Sequence, residues 1–353
     1  MESNLTIFDL GQVANRIAAE EVFSDYRSRR AANTLSRQDV DLDLFGSYLA
    51  EKGIPAGDLA LGDSWETVTW GLVSGFVRWL LREGYAIGTV NLRLSTVKTY
   101  SQLAYQAGKL SHDEYLRIRG LRGYSAKETS NVDTQRKAEG VSVRKAEIQV
   151  RVRTKAGAKV VTRQGGKKAS PVFLAPAQAK ALRACPDLTA PQGLRDALLI
   201  GLMLDLGLRV GEAVLLEVKN FDLEAGTIMV FRPKVKRTQT LKMSQYLRRV
   251  ASQYLPAIGS GKALRGSRRG GKLAYEGMSE QAATQRVQDL GEQIGVHGLS
   301  CHDLRHTWAT RQARNRVPVD RLMEAGGWAT PSMALRYLEA ARIANEGCDL
   351  GDE

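Results

Sequence analysis

Cysteine is scarce in this chain, and its three cysteines are far apart. Cys185, Cys301 and Cys348 have no CxxC spacing, so the sequence argues against a disulfide framework and against a zinc site. There is also no P-loop and no carboxylate cluster with metal-binding spacing. We therefore expect reduced thiols and no metal, nucleotide or other cofactor.

Long apolar runs are missing as well. None reaches the roughly 20 residues that a membrane-spanning helix needs. The first residues, Met1 to Asp9, lack a basic segment followed by an apolar stretch, which argues against a secretory signal. These absences predict a cytoplasmic protein that does not enter a membrane.

Basic residues are in excess. The 353 residues include 51 Lys and Arg against 38 Asp and Glu, a net charge of +13. Such a charge favours a polyanionic partner, but a solvated basic face explains charge alone equally well. With 43% hydrophobic residues, the chain is long enough for two globular domains.

The first part of the chain predicts a small helical domain over residues 37–126, preceded by an N-terminal extension, residues 1–36. A helix opening at Thr89 carries four apolar residues on one face, Val90, Leu94, Val97 and Leu103. Ser111 and Glu114 form a capping-box pattern. Three tryptophans are interpreted as core residues, namely Trp65, Trp70 and Trp79.

Residues 127–170 differ in composition and predict a basic linker or insertion. Between Lys127 and Lys168 there are twelve basic and four acidic residues, a local net charge of +8. Ile148, Val150 and Val152 alternate with polar residues before a turn at 155–159. A basic β-hairpin is one interpretation, and a disordered arm is the alternative.

A second domain is expected over residues 171–345, followed by a C-terminal tail, residues 346–353. Pro176 suits the first turn of a helix that runs to about Ala184, and another helix is expected over 194–206. Residues 227–231 and 238–243 predict two strands joined by a basic turn. The predicted fold class is mostly α (α+β), with a small β-hairpin.

Two groups of residues near the C-terminus suit anion chemistry. His302 and Arg305 are three residues apart on a predicted helix, so one face could grip one anion. Trp328 follows two glycines, and Tyr337 lies nine residues later on a helix that starts at Thr330. Taken singly, a HxxR pattern indicates little, and a Tyr or Trp is more often a core residue.

Two further basic positions precede them. In the sequence GLRVGE, Arg209 follows a helix-ending glycine, and Glu212 lies one turn later, where it could hold the guanidinium. Lys234 lies in the RPKVKR turn between the predicted strands. Such a turn is usually solvated, but it is also suited to reaching a DNA backbone.

In this order, the residues resemble the catalytic set of the tyrosine recombinases, or phage integrases: an arginine, a hairpin lysine, HxxR, a His or Trp, and a tyrosine. The resemblance covers about residues 174–340. The helical region before it resembles the family's SAM-like core-binding domain by pattern. Six positions correspond to the catalytic set, namely Arg209, Lys234, His302, Arg305, Trp328 and Tyr337.

The resemblance implies a site-specific recombinase of double-stranded DNA. Tyr337 would attack a phosphodiester, giving a 3′-phosphotyrosyl intermediate and then a Holliday junction within a tetramer. Arg209 and Arg305 would neutralise the transition state, His302 would assist the tyrosine, and Lys234 would protonate the leaving oxygen. Trp328 would donate to a phosphate oxygen, and no metal or ATP would be needed.

Three alternatives stay open at this level. Lys236 could act in place of Lys234, because Pro233 precedes Lys234 where the family commonly has glycine. A type IB topoisomerase shares the chemistry but religates the same strand. A DNA-binding regulator could keep the fold without turnover. The sequence does not separate integration, excision and dimer resolution.

Overall fold

The structure is a computed structural model, which describes residues 7–141, 143, 163–164, 167–168, 172–268 and 271–341. These residues fall into two compact units. They are mostly helical with small antiparallel sheets, which confirms the predicted fold class. None of the helices in these ranges is long and apolar enough to span a membrane.

The first unit is a helical bundle with one apolar core. Its helices are α1 (Ile7–Ser28), α2 (Ala32–Glu51), α3 (Trp70–Arg82), α4 (Ile87–Gln106), α5 (His112–Gly120) and α6 (Ala126–Ala138). The predicted face of α4 is buried at all four positions, Val90, Leu94, Val97 and Leu103. Phe45 and Phe76 meet at the centre with their ring centroids 5.0 Å apart, so aromatic packing joins α2 to α3.

Several details of this unit differ from the sequence expectations. Residues 1–36 were expected to form an extension, but α1 lies within them and its Phe23 side chain is buried in the core. Helix α4 begins at Ile87, two residues before Thr89. Trp65 is fully buried and Trp79 half-buried, whereas Trp70 is 42% exposed because it opens α3 at the surface.

The capping box at α5 is only half formed. The Ser111 hydroxyl accepts a hydrogen bond from the Glu114 backbone N–H at 3.3 Å. The Glu114 carboxylate does not return to Ser111 but accepts from the backbone N–H of Trp70. This bond ties the start of α3 to the start of α5.

The segment expected as a basic linker contains described structure at both ends. Helix α6 starts at a complete capping box of Ser125 and Glu128, and Arg136 on it donates to the backbone oxygens of Leu81 and Tyr85 at 3.2 and 2.9 Å. Strands β1 (Arg163–Gln164) and β2 (Lys167–Lys168) form a two-stranded sheet. The hairpin expected around residues 148–161 lies outside the described residues.

The second unit surrounds a deeply buried helix. Its helices are α7 (Pro176–Ala184), α8 (Pro191–Leu204), α9 (Val210–Leu215), α10 (Gln245–Ile258), α11 (Glu280–Gln293), α12 (Cys301–Arg314), α13 (Val319–Gly326) and α14 (Pro331–Ala341). Residues 197–204 of α8 are all buried, so this apolar run forms the centre of the core. Helix α7 starts at Pro176 and ends at Ala184, as predicted.

Two small sheets complete this unit. The first pairs β3 (Phe221–Asp222), β4 (Thr227–Arg232) and β5 (Arg237–Lys242), and the second pairs β6 (Arg265–Ser267) with β7 (Leu273–Gly277). Strands β4 and β5 form an antiparallel hairpin closed by residues 233–236, which confirms the predicted strands. Side chains alternate along β4, so that Ile228, Val230 and Arg232 all point into the protein.

Candidate active site

Arg209 precedes α9 and is held by the carboxylate of Glu212. The Arg209 guanidinium donates to Glu212 Oε1 at 2.6 Å, and its backbone N–H donates to Oε2 at 2.9 Å. Glu212 is buried, whereas the Arg209 side chain keeps 28% of its surface exposed. A fixed but accessible guanidinium is suited to binding an anion from solvent.

Arg305 lies deeper, on the first turns of α12. Its guanidinium donates to the backbone oxygen of Gly207 and, at 2.6 Å, to that of Gly326. Burial, with Arg209 nearby, lowers the pKa of Arg305 to about 10. Arg305 therefore stays a cation at neutral pH and adds a second positive charge to the site.

The turn after α13 brings the two arginines to one place. Gly327 has φ +59°, a left-handed conformation that favours glycine, and it ends α13. Arg209 donates to the Gly327 oxygen at 3.2 Å, next to the Gly326 oxygen that Arg305 binds. Trp328 follows at once, with its ring 5.0 Å from the Arg305 guanidinium carbon.

Tyr337 extends this cluster from α14. Its ring stacks on Trp328 with the centroids 5.4 Å apart, and the residue is only 4% exposed. Burial raises the pKa of the Tyr337 phenol, while Arg305, Arg336 and Arg209 oppose that rise. The phenol is thus protonated at neutral pH, and a reaction through its oxygen would require a proton acceptor.

Two histidines of α12 continue the row of rings. His302 is exposed, and its ring lies 4.3 Å from that of His306 between centroids. The His306 ring lies 5.2 Å from that of Tyr337. The structure therefore brings His302 next to the cluster, with His306 between it and the tyrosine.

Hydrogen bonds hold helix α12 against the segment Val172 to Leu174 of the same unit. The Asp303 carboxylate accepts from the backbone N–H of Val172 at 3.0 Å and from the Ser300 N–H at 2.7 Å. One turn later, the Thr307 hydroxyl accepts from the backbone N–H of Leu174 at 3.1 Å. These bonds fix the helix that carries His302 and Arg305.

Lys234 is placed differently from the other candidates. It lies in the exposed loop of the β4 to β5 hairpin, as does Lys236. Lys236 has φ +49°, a backbone conformation that closes the turn. The structure groups Arg209, Glu212, Arg305, Trp328 and Tyr337, whereas Lys234 lies on the exposed hairpin loop.

Sequence reasoning missed two residues of this site, His306 and Arg232. His306 follows His302 by four residues, a spacing that places both on one helix face. Arg232 is fully buried and donates to Glu212 at 2.8 Å. Its signal was the alternation of β4, which turns this arginine inward with Ile228 and Val230. In the described ranges, no group of three His, Cys, Asp or Glu side chains is arranged to hold a metal ion.

Comparison with known proteins finds tyrosine recombinases among the relatives of this chain. The tyrosine recombinase XerD of Neisseria meningitidis serogroup B is 30% identical over 184 residues, which are 50% of this chain and 61% of that protein. The chain thus spans about three fifths of this relative. The tyrosine recombinase XerC of Herpetosiphon aurantiacus is 22% identical over 313 residues, 86% of this chain and 84% of that one.

The fold agrees with a solved structure. The Tn1549 transposon integrase in complex with transposon right end DNA matches with a TM-score of 0.58 and 15% identity, over 90% of this chain and 94% of that chain. Residues 172–342 match the phage integrase family, and residues 23–108 match the phage integrase N-terminal SAM-like domain. The chain therefore belongs to the phage integrase family of tyrosine recombinases.

Proposed function

We propose that this chain is a site-specific DNA recombinase in which Tyr337 forms a 3′-phosphotyrosyl bond with a strand of duplex DNA. The observation that carries the proposal is the convergence of two arginines, an indole and a buried phenol around residues 326–328. Binding DNA alone needs no phenol in such a place. The proposal includes four protomers on two duplexes in a cytoplasmic complex.

The two guanidiniums neutralise the negative charge of the scissile phosphate. As the Tyr337 oxygen bonds to phosphorus, negative charge grows on the nonbridging oxygens. Arg209 is accessible and fixed by Glu212, and Arg305 is fixed by two backbone oxygens. Preorganised cations of this kind stabilise the transition state without rearranging during the reaction. The Trp328 indole N–H is proposed as a further donor to a phosphate oxygen.

Proton transfer completes the step. The phenol proton passes to His302 or His306, whose rings lie in a row next to Tyr337. Lys234 on the hairpin loop donates a proton to the departing 5′ oxygen. The free 5′ hydroxyl of one strand then attacks the phosphotyrosyl bond of another, which releases Tyr337 and forms a Holliday junction. The bond energy is kept in the covalent link, so no ATP is consumed.

The test is a suicide substrate, a duplex nicked beside the cleavage site so that the short product diffuses away. The target site is first selected from a random duplex pool by binding to the full chain. Wild type should accumulate a covalent adduct on denaturing gels, and Tyr337→Phe should bind the duplex without forming one. Tyr254→Phe is the matched control, because Tyr254 is also buried but lies on α10.

The results of this experiment distinguish a recombinase from a DNA-binding regulator and from a topoisomerase. Adduct formation by Tyr337→Phe would overturn the choice of nucleophile. Binding without any wild-type adduct would indicate a DNA-binding regulator. An adduct that religates only its own strand, with no exchange between two duplexes, would indicate a topoisomerase.

A further inference from the structure

Arg232 is a charged residue in a core position. It ends β4 on the face shared by Ile228 and Val230, and none of its side chain is exposed. Burying a guanidinium is unfavourable unless each of its donors finds an acceptor. The acceptors that bind the Arg232 guanidinium therefore indicate its role.

The Arg232 guanidinium joins three separate elements. It donates to Glu212 on α9 at 2.8 Å, to the Ala325 backbone oxygen on α13 at 2.6 Å, and to Gln239 on β5 at 2.5 Å. A weaker bond reaches the Gly326 oxygen at 3.5 Å. The hairpin, the start of α9 and the end of α13 thus meet on one side chain.

The same acceptors hold the two arginines of the site. Glu212 binds both Arg232 and Arg209, and the Gly326 oxygen accepts from both Arg232 and Arg305. Gly327 packs directly on this side chain, since a Cβ added there would lie 2.3 Å from Arg232 Cδ. A displacement of Arg232 would therefore shift both guanidiniums and the turn that leads to Trp328.

We propose that Arg232 is a positioning residue for DNA cleavage, which sets where Arg209 and Arg305 meet the scissile phosphate without touching DNA itself. This inference rests on the proposed function. A side chain that served only to hold the fold would be needed equally for every substrate. A residue that positions the two guanidiniums is needed most for a phosphodiester, whose nonbridging oxygens carry negative charge, and least for a neutral analogue.

The test compares two scissile groups in the suicide duplex under single-turnover conditions with saturating protein. On the ordinary phosphodiester, Arg232→Met should slow adduct formation about 100-fold, because displacing catalytic groups by about 1 Å has an effect of that order. On a methylphosphonate, one nonbridging oxygen is replaced by a neutral methyl group, so exact placement of the guanidiniums matters less. The ratio of wild-type to variant rate should then fall toward one.

Arg195→Met is the matched control. Arg195 is also fully buried in this unit, and it donates to Asp196, the Arg265 oxygen and Ser267 rather than to the site. This variant should lose stability to urea yet cleave both substrates at wild-type rates when folded. Arg232→Lys keeps the positive charge but has fewer hydrogen-bond donors, so adduct formation should be slowed less than in Arg232→Met and again mainly on the phosphodiester. If Arg232→Met does not fold, Arg232→Lys is used for the comparison of the two substrates.

Each result either supports or overturns the positioning role of Arg232. An equal slowing of the folded Arg232 variants on both substrates would overturn the positioning role, as would wild-type rates on the phosphodiester. If wild type itself forms no adduct at Tyr337, the proposed function fails and this inference fails with it. If wild type forms the adduct at Tyr337 but the Arg232 variants are slowed equally on both substrates, the positioning role is rejected and the proposed function stands.

Discussion

Replacing Glu212 with glutamine should destabilise the second unit far more than an ordinary surface substitution. Glu212 is 3% exposed and is paired with Arg232, which is fully buried, and with Arg209. Removing one partner of a buried ion pair costs about 3–5 kcal/mol, because the other charge is left in the protein interior. Glutamine keeps an oxygen that can still accept a hydrogen bond, so we expect the low end, about 3 kcal/mol.

Urea unfolding at neutral pH measures this loss, and Glu217→Gln is the matched control. Glu217 also has two cationic partners, Lys219 at 2.7 Å and Lys262 at 3.3 Å, but it is 33% exposed. Exposed pairs contribute little, so the control should unfold as wild type does. Equal losses in the two variants, or a Glu212→Gln protein as stable as wild type, would refute the argument that burial makes the Glu212 pair important.

Three further outcomes are expected. Lys234→Ala should lose cleavage of a phosphodiester and regain it on a 5′-bridging phosphorothiolate, whose sulfur leaving group needs no proton; rescue of Lys236→Ala instead would move the general acid. Gly327→Ala should cost about 3 kcal/mol in urea unfolding, since φ is +59° and the added Cβ would lie 2.3 Å from a buried arginine. Gly295→Ala, at φ +73° in open space, should cost only about 1 kcal/mol, and equal losses would contradict the packing argument. Because burial raises the pKa of Tyr337, the phenol should stay protonated from about pH 7 to about pH 9, and cleavage should depend on the histidine that accepts its proton rather than on ionisation of the phenol; a cleavage rate that rises in proportion to hydroxide concentration over this range would contradict this.

Local patterns predicted several elements of the second unit. Pro176 marked the start of α7, and the strand-like residues 227–231 before a basic turn marked β4. The spacing of His302 and Arg305 placed both on one helix, and α12 begins at Cys301. Each of these signals depends on neighbours within a turn of helix or a few residues of strand, which the sequence displays directly.

Features that depend on distant partners were harder to predict. The first part of α6 has few apolar residues, and the helix is held by Arg136, whose acceptors lie more than 50 residues away. Trp70 looked like a core residue, but its exposure follows from its place at the first turn of α3. The role of Arg232 depends on oxygens of Ala325 and Gly326, about 93 residues later in the chain. Composition and periodicity contain no record of such contacts.

The most direct test of the account is to identify the residue that becomes linked to DNA. The trapped adduct would be digested with nuclease and trypsin, and the modified peptide sequenced by mass spectrometry. Trypsin cleaves after Arg336, so Tyr337 should begin a short peptide ending at Arg342. The account predicts that this peptide carries the remaining nucleotide through its 3′ phosphate on the Tyr337 oxygen. A nucleotide on any other residue, or one joined through a 5′ phosphate, would contradict it.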